Sequence, residues 1–341
     1  MQKLKEEISL LLSSCLPLEP AVIEDLLEIP PDPNFGDLAF PCFTLAKTYK
    51  KAPALIADEL AAGLTAQKGV YWGRVTAGGP YLNFFIAPEA YGREVLREVW
   101  KEGEKYGHCA IGKGRNVTID YSSPNIAKPF GIGHIRSTVI GHALYLIFRA
   151  LGYSSIGVNH LGDWGTQFGK LIVAYKRWGD EDQLEADPVD YLYRLYVKFH
   201  QCAEEDSSLE DEARLWFKKL EEENCEAVDY WNRFRRLSLE NYALIYQLLG
   251  IEFEHYHGES HYNKMLDDVI ELVLEKGIAE ESEGALIVDL EPHGLPPVML
   301  RKKDGATLYI TRDLAAAIYR KNTFDFALSL YVVGAEQTLH F

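Results

Sequence analysis

The stretch Asn116–His134, NVTIDYSSPNIAKPFGIGH, constrains this chain more than any other, because it sets a strand, a turn and a helix start in direct succession. Asn116–Tyr121 is short, rich in Val and Ile and bounded by polar residues, which suits a buried strand. Ile132–Leu151 carries apolar residues at helical spacing with Gly152 just past its end, which predicts a long helix. The turn between them holds Ser122, Ser123, Pro124, Asn125, Lys128, Pro129, Gly131, Gly133 and His134. Small residues there permit close backbone approach, and the free N–H groups of a helix start suit an anion.

A second buried strand is expected at Tyr153–Asn159, and its end carries His160-Leu161-Gly162-Asp163-Trp164-Gly165-Thr166-Gln167-Phe168-Gly169. Ligands of open α/β sheets gather at the carboxyl ends of the strands, so both motifs sit where a nucleotide would bind. Taken alone, Gly-Asp-Trp-Gly is equally well a turn followed by a helix N-cap.

Ser122–Phe130, then Gly131-Ile132-Gly133-His134 and Ile135–Thr138, resemble the first signature of the arginyl-tRNA synthetases, class I enzymes with a Rossmann-type catalytic domain. Gly162-Asp163-Trp164-Gly165 resembles the second block of that family. Members hold a His-x-Gly-His quartet in the turn, with amides and imidazoles facing the phosphates of ATP; this chain departs at Gly131, where the first His is usual. The resemblance implies an α/β fold: a Rossmann-type parallel-sheet catalytic domain with a helical insertion, preceded by a small α+β amino-terminal domain.

That smaller domain is expected over residues 1–108. Leu4–Leu12 and Ala21–Leu27 read as helices, PPDPNFGDLAFP as a loop, Phe43–Tyr49 and Ala54–Leu64 as helices, and Val70–Val75 and Tyr81–Ile86 as strands about a Gly-Gly-Pro turn. Asn34-Phe35-Gly36-Asp37 and Gly79–Phe85 resemble patterns of the family's additional domain, which touches the tRNA elbow; Asn83 matches the Asn that contacts the D-loop. Tyr81, Phe84 and Phe85 also read simply as strand core. A charged helix at Glu89–Tyr106 and a linker at Gly107–Gly114 precede the catalytic domain, expected over residues 115–341 with a connective insertion of long acidic helices at about 176–282.

A net charge of −16 excludes a generally basic nucleic-acid binder but leaves room for one basic face. Five scattered cysteines without a CxxC pair read as reduced thiols rather than a disulfide or zinc framework, and His255, His257 and His261 as ordinary loop histidines, so no protein-bound metal is expected. The amino terminus has no cleavable signal pattern, and no run approaches the roughly 20 apolar residues of a membrane span, so a cytoplasmic protein with no membrane partner is expected.

Toward the carboxyl end Met265–Lys276 reads as a helix, Ala285–Leu290 and Val298–Arg301 as strands before a hairpin-like turn at Lys302–Gly305, and Phe326–Val333 as an apolar strand. Tyr309 and Asp313 lie four apart at a helix start and so share a face. A guanidinium is a planar fork of donors that stays charged, and a selective pocket for it needs carboxylates in its plane. Asp120 and Asp313 can supply them with Tyr309 as a cap. The resemblance adds Ser122 and Asn125, the latter for the α-amino group, and Gln337 on the cavity wall. It also implies ATP with Mg²⁺ over Lys128, Gly131, Gly133, His134, Gly162 and Asp163, with His134 and Lys128 catalytic. The implied reaction is attack of the arginine carboxylate on the α-phosphate, then transfer of the arginyl group to the terminal ribose of tRNA(Arg). The family suggests a monomer. Its second signature loop and anticodon-binding domain would lie beyond Phe341, so an amino-terminal fragment that does not charge tRNA unaided is expected. A non-catalytic arginine- or tRNA-binding fragment is the alternative. A dinucleotide-binding enzyme is disfavoured because no GxGxxG follows the first strand.

Overall fold

The computed structural model describes residues 1–303 and 305–341. It divides into two compact units, Met1–Tyr106 and Gly107–Phe341. Asp304, part of the turn expected at Lys302–Gly305, lies outside the described residues.

In the first unit, helices α1 (Gln2–Cys15) and α2 (Pro20–Leu26) precede strand β1 (Leu38–Pro41), followed by α3 (Ala46–Tyr49), α4 (Pro53–Leu64), β2 (Trp72–Gly78), β3 (Tyr81–Ile86) and α5 (Pro88–Glu102). Leu4, Ile8 and Leu12, spaced by fours on α1, are buried with Ile23, Ile56, Leu82 and Phe84 in one core. The sheet is antiparallel in the order β1-β3-β2. Strand β1 occupies residues expected as loop: all four of its residues are buried, and Leu38 pairs with Phe84. Four residues are too few to display an alternation, and a terminal proline, which lacks an N–H, is tolerated on an edge strand.

The second unit begins with β4 (Asn116–Asp120), α6 (Ile132–Ala150) and β5 (Ser154–Val158). Helices α7 (Thr166–Trp178), α8 (Glu181–Ala186), α9 (Pro188–Glu205), α10 (Ser208–Glu221) and α11 (Cys225–Leu249) follow without an intervening strand and share one large apolar core. After α12 (Leu266–Glu275), strands β6 (Glu280–Ser282), β7 (Ala285–Val288) and β8 (Val298–Arg301) form a separate antiparallel sheet; α13 (Tyr309–Phe324) and β9 (Leu328–Tyr331) complete the unit. The parallel sheet has the order β5-β4-β9, with Val117 level with Ser155 on one side and Leu328 on the other. Connections from β4 therefore run to opposite sides, and the carboxyl end of β4 is the crevice where such sheets take ligands. Among the described residues no helix is long and apolar enough to cross a membrane.

Helix α6 reaches the sheet through Gly141. A Cβ there would lie 2.2 Å from the Cβ of Tyr121, which is fully buried at the end of β4. Alanine normally gains about 1 kcal/mol over glycine inside a helix, but overpacking a rigid neighbour costs about 1–3 kcal/mol. Gly141→Ala is therefore expected to lower the thermal midpoint, and a midpoint raised in calorimetry would show that the helix and strand can part freely here.

Candidate functional site

The turn after β4 is held in an unusual backbone. Ser122, Ser123 and Ala127 have φ of 74°, 49° and 58°, the left-handed region that non-glycine residues enter at a cost of roughly 1–3 kcal/mol each. Three hydroxyls on one buried face of α11, spaced by fours, hold it there. Ser238 Oγ accepts from the Ala127 N–H at 3.1 Å, and the Tyr242 hydroxyl sits between the carbonyls of Asn125 and Lys128 at 2.6 and 2.7 Å. Tyr246 Oη meets Ser122 Oγ at 2.7 Å. It also accepts from Asn159 Nδ2 at 2.9 Å, and Asn159 Oδ1 in turn accepts from the Ser123 N–H at 3.2 Å. None of the three α11 residues was singled out in the sequence; their signal is a hydroxyl every fourth position on an otherwise apolar helix face.

The two motif turns run side by side. The Gly162 N–H donates to the Pro124 carbonyl and the Ile126 N–H to the Gly162 carbonyl, both at 3.1 Å. Any Cβ at Gly162 would come within 2.1 Å of Asn125 Oδ1, so only glycine permits this approach. Asp163, expected to face a nucleotide, points the other way. It is 0 % exposed, and its carboxylate accepts from Arg235 Nε at 2.9 Å and from the Ser260 N–H and Oγ at 2.8 and 2.9 Å. These three hydrogen bonds join the second motif to α11 and to the short 3-10 turn before α12.

A cavity of about 640 Å³ opens at the strand ends. Of the residues expected there, it is lined by Asp120, Ser122, Asn125, Gly133, His134, Gly162, Tyr309, Asp313 and Gln337; Lys128, Gly131 and Asp163 do not line it. Lys128 is exposed and contributes its carbonyl to Tyr242. Gly131 has an ordinary φ of −88°, and its N–H donates to His134 Nδ1 at 3.0 Å, so a neutral His134 presents Nε2–H as its donor. Burial, with the charge of Lys128 added, lowers the His134 pKa below its usual value and keeps the ring neutral.

The charges of the cavity differ from expectation in one respect. Asp120, 7 % exposed, is already paired: Oδ2 lies 2.8 Å from Nη2 of Arg320, itself 1 % exposed, and Oδ1 accepts from Ser123 Oγ at 2.9 Å. Its charge is thereby compensated from within the protein, 200 residues along the chain. Asp313 meets His340 Nε2 at 2.6 Å and stands 3.8 Å from His160 Nε2. Glu259, unanticipated, lines the same cavity with a buried Oε2 that has no hydrogen-bond partner. Burial pushes its carboxyl up to about 8; Arg312 opposes the rise while Asp163 and Asp313 add to it. Burial and the charge of Glu259 likewise raise the pKa of Tyr309. Asp120 is thus claimed by a guanidinium, whereas Glu259 Oε2 has no partner and Asp313 meets only imidazoles, which carry charge only when protonated.

Within the first unit, Asn83 is 3 % exposed at the edge of a separate pocket of about 290 Å³ walled by Pro30, Pro31, Phe35 and Tyr81. The rings of His257 and His261 stack at 4.0 Å, and among the described residues no group of three or more His, Cys, Asp or Glu is arranged to hold a metal ion.

Comparison with known proteins adds the following. Residues 2–86 match the family described as arginyl tRNA synthetase N terminal domain, and residues 95–341 the family described as tRNA synthetases class I (R), catalytic domain. The chain is 53% identical over 319 residues to an arginine–tRNA ligase of Halothermothrix orenii, covering 94% of this chain and 56% of that protein. It is 53% identical over 324 residues to one of Clostridium botulinum, covering 95% and 57%. It thus spans little more than half the length of these curated relatives. The fold is similar to that of arginyl-tRNA synthetase from Plasmodium falciparum, with a TM-score of 0.70 at 22% identity over 100% of this chain and 60% of that one. For the Thermus thermophilus enzyme the TM-score is 0.63 at 23% identity, over 95% and 53%.

Proposed function

Since this chain belongs to the class I arginyl-tRNA synthetases, we propose that its cavity takes arginine and ATP for arginine–tRNA ligation. The observation that carries the reading is Glu259, a buried carboxylate oxygen without a partner in a cavity that Asp313 and Tyr309 also line. A guanidinium is planar and permanently charged, so two carboxylates at different angles can each take part of its fork, whereas a lysine ammonium is a compact point charge. Asn125 and Gln337 then meet the α-amino and carboxylate end, and Asp120 acts by keeping Arg320 in place.

ATP would lie toward the start of α6. The His134 Nε2–H and the backbone at Gly133 and Gly162 are its contacts, and the free N–H groups of the helix start favour phosphate. No protein nucleophile is needed: the arginine carboxylate attacks the α-phosphorus, pyrophosphate leaves, and the arginyl group passes to the terminal ribose of tRNA(Arg). Positioning and stabilisation of the charge that develops on the phosphate are what these groups contribute. Lys128 acts from the rim, helping to hold His134 neutral and hence a directed donor. Magnesium would arrive on the nucleotide phosphates. The Asn83 pocket of the first unit, with its aromatic and proline walls, is the tRNA contact.

Isothermal calorimetry of the 341-residue chain with arginine and with lysine tests the pocket. Arginine is expected to bind about a hundredfold more tightly or better, because the compact ammonium of lysine engages one carboxylate and leaves Glu259 protonated, forgoing a charge-assisted contact worth about 3 kcal/mol. Equal affinities would overturn the assignment of Glu259 and Asp313.

A further inference from the structure

The clamp on the turn after β4 joins two parts of the chain far apart in sequence, the strained backbone at Ser122–Ser123 and the middle of α11. We propose that Tyr246 is a positioning residue of the site: through its single hydroxyl it holds Ser122 and Ser123 in the left-handed backbone that aims the turn, and Asn125 with it, at the substrate. The inference deepens the arginine reading and rests on it.

Four observations carry it. Ser122, Asn159 and Tyr246 are 3 %, 0 % and 2 % exposed, so water cannot replace the hydroxyl that joins them. That hydroxyl reaches Ser122 directly at 2.7 Å and Ser123 through the Asn159 amide, which shares the Ser123 N–H with the Tyr121 carbonyl at 3.1 Å, and so bears on both of the adjacent residues whose φ is positive. Glycine is absent from both positions, so the backbone is held by partners rather than permitted by sequence. Finally, Phe130, on the same turn, packs at 5.7 Å from the Tyr246 ring and 5.3 Å from His134, so one residue of α11 sets both flanks of the motif. The hydroxyl of Ser122 is committed to Tyr246, and its carbonyl accepts from Ser137 Oγ of α6 at 3.5 Å.

Tyr246→Phe removes the hydroxyl and keeps the ring against Phe130 and Phe253, so the chain should still fold with its midpoint lowered by only a few degrees. Arginine affinity measured by calorimetry is expected to fall about tenfold, the size of coupling usual for residues in one hydrogen-bond network. Exchange of the Ser123 amide, followed by NMR, is expected to quicken about tenfold as the Asn159 acceptor loosens and the backbone that brings the N–H to the Tyr121 carbonyl relaxes with it. Ser122→Gly placed in the Tyr246→Phe chain should then restore affinity to within about threefold of the original. Glycine takes a positive φ without a clamp and leaves no stranded hydroxyl, whereas a defect of packing alone would not be rescued. Unchanged arginine affinity in Tyr246→Phe, unchanged Ser123 exchange, or a double variant no better than the single one would each overturn the proposal. If the unaltered chain fails to bind arginine, the substrate reading falls and the positioning role falls with it; the exchange rates still show whether Tyr246 holds the turn.

Discussion

Glu259→Gln is expected to make the chain more stable at pH 8 and to deprive it of most of its affinity for arginine. The folded protein holds the Glu259 proton up to about 8, against 4.5 for the free side chain. Below about pH 4.5 both folded and unfolded chains are protonated there, and the group's contribution to stability is complete. As pH rises toward 8 the unfolded chain releases the proton and the folded chain retains it, so stability from this group is progressively lost. Glutamine has no proton to lose, and the difference between variant and original should therefore grow across this window to a few kcal/mol. The same burial that makes the empty carboxylate costly makes it effective against a guanidinium, and removing the charge should cost roughly 2–5 kcal/mol in arginine affinity. Arginine binding near pH 7 should also release a proton, seen as a heat that depends on the buffer. Melting curves of the two chains that coincide at pH 8, together with equal arginine affinities, would remove Glu259 from the site.

Asp163→Ala should damage the fold and spare the nucleotide. The carboxylate is wholly buried and accepts from Arg235 and from two groups of Ser260, so its removal strands three donors, one of them a cation, at the junction of the second motif and α11. Breaking one side of such a pair costs about 3–5 kcal/mol, a large part of the total for any domain. Affinity for ATP, measured under conditions where the variant remains folded, should stay within about threefold of the original, since the side chain does not line the cavity. A variant that melts normally and loses ATP would return Asp163 to the nucleotide site.

These two acids also show where sequence reading stops. The strand at Asn116, the helix from Ile132 and the four-residue spacing of Tyr309 and Asp313 are local patterns, and the fold class follows from them and from the motif that joins them. The direction in which an acid points is not local. Asp163 is turned by partners 72 and 97 positions away, and Asp120 is claimed by an arginine 200 positions away, so each looked like a ligand when only its neighbours were visible. Glu259 opens a short 3-10 helix with no apolar periodicity and gave no signal, although its environment makes it the most perturbed carboxylate of the cavity. Strand β1 was hidden for a different reason: its partner, β3, lies about 45 residues further on, and pairing rather than composition makes it a strand.

The register of β9 against β4 has a bearing on how the chain acquires this cavity. Val117 must find Leu328 across more than 200 residues, whereas the helices of the insertion meet partners a few tens of residues away. Closing so large a loop is entropically slow, and contacts of short range form first. During synthesis β4 and β5 must wait with one edge open while some 170 further residues emerge, and the helical insertion, already packed, shortens the effective span that β9 has to cross. The insertion that supplies the grip on the turn thus also acts as an internal scaffold, bringing the late strand within reach of the early one.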